Sequence, residues 1–84
     1  MLISPAEQNT IKICLNLAQL YANDATSENK VRYRVLIPQF PSSYKAIDEV
    51  ANAVDAIRAS IDNFDNALGA KIQAAITRMQ HFHS

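Results

Sequence analysis

Four cations in this chain could grip an anion: Lys30, Arg32 and Arg34, crowded together, and Arg58 further on. Guanidinium groups offer planar donors that match a carboxylate or a phosphate. Tyr33 interleaves with the first three, a mixture that also suits nucleic acid. On an extended backbone, however, Tyr33 points away from Arg32 and Arg34. With 8 basic against 8 acidic residues there is no net positive field either. Nucleic-acid binding is therefore not expected. Asp48, Asp55 and Asp62 recur one heptad apart. On a helix, successive members stand about 10 Å apart, too far to share a metal ion or a proton. They read as a solvated acidic face that could pair with the cations of 30–34. His81 and His83 bracket Phe82, whereas helical metal pairs need i, i+4 spacing. Cys14 falls on an apolar stripe and reads as a small buried hydrophobe. Tyr21, Tyr33 and Tyr44 carry hydroxyls, but their spacing requires no pocket. No catalytic residue, metal ligand or cofactor is expected.

The elements that must carry these groups are mostly helical. Residues 46–66 form three heptads in which a small residue, a branched apolar residue and an Asp recur in register. The apolar stripe runs Ile47, Val50, Val54, Ile57, Ile61, Phe64, Leu68, a 3-4 alternation typical of helix–helix seams. After Leu68 it shifts by four and continues through Ile72, Ile76, Met79 and Phe82. The small column Ala46, Ala53, Ser60 and Ala67 would let a second helix approach closely. Gly69 costs about 1 kcal/mol relative to Ala in a helix. No loop chemistry follows it, so one helix over about 43–82, bent at most near Gly69, is expected. Such a helix would span roughly 60 Å, far beyond a globule of this length. Its overhang would need a partner.

Ahead of it, Ser4-Pro5-Ala6-Glu7 offers a capping residue, a first-turn Pro and a Glu able to bond back to the cap. Ile11, Cys14, Leu15, Ala18 and Ala22 follow at helical spacing, with Ile13, Leu17, Leu20 and Tyr21 widening the stripe, predicting a helix over about 5–23 that fades at Asn23-Asp24. Lys30–Ile37 alternates Val31, Tyr33, Val35 and Ile37 with Arg32, Arg34 and Leu36, which reads as a strand rather than a short helix. The segment 38–42 opens with Pro38 and contains Pro41, so it reads as a rigid connector rather than a proline-motif ligand.

A chain of 84 residues is a single domain with a modest core. One cysteine supplies no internal disulfide, and no Cys/His cluster has zinc spacing. Oligomerisation is then the expected source of further buried surface. Met1–Pro5 lacks the cationic and apolar regions of a secretory signal, and no apolar run approaches a membrane span. A free thiol without an export signal points to the cytoplasm.

Arg58-x-x-Ile61-Asp62-x-x-Asp65-x-x-Leu68 resembles the opening of the first helix of the all-α chorismate mutases and related isochorismate lyases. The resemblance would imply that Arg58 binds a substrate carboxylate. It covers about a dozen residues; that family's next cation falls near Ala75, and 16 residues after Leu68 leave no room for its later helices. The family is not adopted. The expected protein is mainly α, a helical bundle completed by oligomerisation, with an interface of Ile47, Val50, Val54, Ile57, Ile61, Phe64, Leu68, Ile72, Ile76 and Met79. Its expected role is that of a non-enzymatic protein–protein interaction module, an adaptor, regulator or inhibitor acting as a homo-oligomer. The rival reading is a binder of an anionic small molecule, or a small enzyme, with its site between subunits and Arg32, Arg34 or Arg58 as the clamp.

Overall fold

Ser4 opens the first helix as its sequence requires. Its Oγ accepts the Glu7 N–H at 3.1 Å, its hydroxyl donates to Glu7 Oε1 at 3.1 Å, and Pro5 takes the first turn. Helix α1 (Pro5–Asn23) follows, then α2 (Asn29–Leu36), α3 (Asp48–Asp62) and α4 (Leu68–Gln80). Two short 3-10 turns, Ile37–Gln39 and Ser42–Ala46, join α2 to α3. The structure, a computed structural model, describes residues 3–24, 26–63 and 65–82, and among these there is no strand.

Two expectations are overturned. Residues 30–37 are not a strand: Asn29–Leu36 is helical. In a helix Tyr33 and Leu36 fall on one buried face, while Val31 and Val35 face out. No second strand exists for the alternating pattern to pair with, and β-branched residues lose only a few tenths of a kcal/mol in a helix. Burial therefore outweighs propensity. The helix expected over 43–82 is likewise two helices, and the break does not lie at Gly69. It lies between Asp62 and Leu68, where Asp65 Oδ1 accepts the Ala67 N–H at 2.8 Å and Asp65 Oδ2 takes Lys71 Nζ at 3.3 Å. A short carboxylate that bonds the backbone two residues on starts a helix more readily than it continues one. Gly69 sits exposed in the first turn of α4, with nothing within 4 Å of where its Cβ would be.

The four helices close a ring. α1 packs on α2 and α4, and α3 packs on the same two, so α1 and α3 lie diagonally across the bundle. The core comprises Ile11, Leu15 and Ala18 of α1, Tyr33 and Leu36 of α2, Val50, Val54 and Ile57 of α3, and Leu68, Ile72 and Met79 of α4. Phe40 and Tyr44 meet edge to face at 5.9 Å and plug one end. Ser43 donates to Glu7 Oε2 at 2.6 Å, tying the connector to the head of α1. The radius of gyration is 12.0 Å and the accessible surface 5042 Å². A folded monomer of this mass should expose about 5,000 Å². One chain thus buries what a monomer of its size buries, and no helix overhangs.

Candidate functional site

Three backbone hydrogen bonds recur at an interval of 39 residues. Asp24 N–H to Leu20 O is repeated by Asn63 to Ala59, Asn29 to Thr26 by Leu68 to Asp65, and Arg32 to Glu28 by Lys71 to Ala67. Burial recurs with them: Ile11, Cys14, Leu15, Ala18, Tyr33 and Leu36 match Val50, Ala53, Val54, Ile57, Ile72 and Ala75, all buried. The bundle is therefore two helical hairpins, α1–α2 and α3–α4, built on one frame and packed face to face. Short polar side chains end the first helix of each, Asn23-Asp24 in one and Asp62-Asn63 in the other.

The shared frame separates what folding demands from what it does not. Among the described residues the exposed large hydrophobic side chains are Ile13, Leu20, Val31 and Val35, at 52, 62, 61 and 57% exposure. All four lie on the α1–α2 hairpin. Their equivalents 39 residues on are Asn52, Ala59, Ala70 and Ala74, polar or small. A hairpin can thus occupy this frame without large apolar groups on its outer face. Val31 and Val35 also line a groove of about 220 Å³ between α1 and α2, with Leu17, Tyr21, Leu36, Arg32 and Gln39.

The residues expected at the interface lie mostly in the chain's own core. Ile47, Val50, Val54, Ile57, Leu68, Ile72 and Met79 are buried in the chain's own core, and Ile61 and Ile76 are half-buried against it. Phe64 lies outside the described residues. The chain reverses between Asp62 and Leu68, so that α4 covers the apolar stripe of α3. Of the small column, Ala53 is buried, Ser60 half-buried, and Ala46 and Ala67 exposed.

The four cations do not converge. Arg32 turns toward α1, reaching Asp24 at 3.5 Å and Glu28 at 3.4 Å, with its guanidinium 5.3 Å from the Tyr21 ring centre. Lys30 lies on the opposite flank of α2 and lines a cleft of about 300 Å³ with Tyr33, Ser60, Asp62 and Leu68. Arg34 is exposed, and Arg58 pairs with Asp55 at 3.3 Å on its own helix. The acidic heptad column does not take up the basic cluster through Arg32, whose partners are Asp24 and Glu28. Cys14 is buried as expected, and burial pushes its thiol pKa up. Burial likewise raises the Tyr33 hydroxyl. Among the described residues no group of His, Cys, Asp or Glu is arranged to hold a metal ion, and no helix is long and apolar enough to cross a membrane.

Among the described residues the chain forms a four-helix ring of two equivalent hairpins, of which α1–α2 carries the exposed large hydrophobics. No protein-family model matches it, and neither a curated protein nor a solved structure is significantly similar to it. The outer face was missed by sequence reasoning because Val31 and Val35 read as strand positions, and Ile13 and Leu20 as a widening of the α1 core stripe. The doubled polar helix end, 39 residues apart, was the signal that could have exposed the frame.

Proposed function

We propose that the chain is a non-enzymatic protein–protein interaction module whose docking surface is the outer face of the α1–α2 hairpin. The observation that carries this reading is the contrast between Ile13, Leu20, Val31 and Val35 and their equivalents Asn52, Ala59, Ala70 and Ala74. Exposed apolar side chains that the frame does not require are retained at a cost in solubility, and burial against a partner removes that cost. Cations that pair separately, Arg32 with Asp24 and Glu28 and Arg58 with Asp55, fit binding better than catalysis. A cytoplasmic setting, suggested by the unpaired Cys14 thiol, belongs to the same proposal.

A photo-crosslinking residue placed at Leu20, compared with one at Ala59, tests the surface in cells. Adducts at position 20 and none at 59 are expected. Equal yields at the two positions, or none at either, would remove the surface from consideration. A second reading, a small anionic ligand, draws on the cleft beside Lys30. Asp62 in the wall of that cleft opposes an anion, and a metabolite screen that raises the melting temperature of the wild type but not of Lys30→Ala would favour it.

A further inference from the structure

We infer that the cleft at one end of the ring binds a small zwitterion, a free amino acid with an apolar side chain. Lys30 and Tyr33 hold its carboxylate, and Asp62 and Ser60 hold its ammonium. This rests on the second reading above, that the cleft takes a small molecule, and is independent of the docking surface. All four helices reach this cleft of about 300 Å³: Ala22 from α1, Lys30 and Tyr33 from α2, Ser60 and Asp62 from α3, and Leu68 from α4. Its size is at the small end of ligand pockets.

Tyr33 is the residue that folding alone does not explain. It is 4% exposed, and a buried tyrosine hydroxyl normally finds a partner. Among the described residues no polar side-chain atom sealed from solvent lacks a partner. The Tyr33 oxygen accepts and donates nothing within them, so it is open to the cleft that its side chain lines. The frame does not ask for a hydroxyl there, since the equivalent residue 39 on is Ile72, fully buried hydrocarbon. Burial raises the pKa of the phenol, so it keeps its proton and donates.

The two walls differ in what they offer. On α2, Lys30 and Tyr33 present donors. On α3, Ser60 already gives its hydroxyl proton to Ala56 O at 2.8 Å, which leaves its oxygen to accept, and the Asp62 carboxylate only accepts. Lys30 and Asp62 line the same cleft, yet neither enters an ion pair among the described residues. A ligand of one charge meets its own sign across the cleft, an anion at Asp62 or a cation at Lys30. A molecule that carries both charges satisfies both walls. The Tyr33 ring, Ala22 and Leu68 then supply the apolar surface for its side chain.

Amide NMR titration of the whole chain tests this with L-alanine, L-valine, L-leucine and L-phenylalanine, each beside its deaminated acid and its decarboxylated amine. At least one amino acid should give saturable shifts at Lys30, Tyr33 and Asp62, and bind at least tenfold tighter than either single-charge counterpart. Lys30→Gln and Asp62→Asn should each weaken it at least tenfold, with unchanged melting curves because both side chains are exposed. Tyr33→Phe, which keeps the ring in the core, should weaken it severalfold. An affinity that none of the three variants moves overturns the site. A counterpart that binds as tightly as the amino acid overturns the zwitterion; if it is the acid, and it tightens in Asp62→Asn, the anion reading stands in its place. No saturable shift with any of these probes to about 20 mM overturns both.

Discussion

Asp65 bonds the Ala67 N–H through one oxygen and the Lys71 ammonium through the other, and both hold its carboxyl below the ordinary value of 3.8. Glu7, which accepts from Ser43 and from the Ser4 hydroxyl and N-terminal turn, is likewise held below its ordinary 4.5. Both are carboxyls with depressed folded pKa values. The stability they contribute is present above the unfolded values and is lost as pH falls through the folded ones. The melting temperature should therefore decline on acidification below about pH 4.5, and Glu7→Gln with Asp65→Asn should flatten that decline. Gly69 makes the opposite case. It is helical, exposed and has open space around the missing Cβ, so Gly69→Ala should stabilise the protein by about 0.5 kcal/mol, read as a higher denaturant midpoint.

At the scale of elements, α1 could be read from the chain almost to the residue, because cap, first-turn Pro and apolar stripe all agree. The stripe of α3 and α4 was equally legible as a packing surface. What it packs on was not, because periodicity gives the face of a helix and not the identity of its neighbour. The break between Asp62 and Leu68 hides inside a seven-residue pattern: Asp62 satisfies the heptad and also ends α3, while Asp65 bonds the backbone that opens α4. α2 was misread because Val31, Tyr33 and Val35 have strand chemistry, while the decision belongs to Tyr33 and Leu36 burying together. The anion-clamp residues failed to converge for the same reason, since neighbours at 30, 32 and 34 share a strand face but splay around a helix. Ile57, fully buried in the middle of α3, tests the corrected packing. Ile57→Ala should cost about 3 kcal/mol in chemical denaturation, and it should do so equally at dilute and concentrated protein, since its contacts lie within one chain.

For the whole molecule, ring closure sets the order of events. α1 needs both α2 and α4, and α4 is the last element of the chain. During synthesis the first hairpin is complete some 39 residues before its equivalent. At about 5–20 residues per second this leaves it waiting roughly 2–8 s with Ile11, Leu15 and Leu36 uncovered on its inner side, while its outer side is apolar by composition. For that interval the nascent hairpin is greasy on both faces. The ribosome-bound chain is then the form most exposed to chaperones and to pairing with a neighbouring nascent copy, and release of α4 ends that exposure on the inner side only.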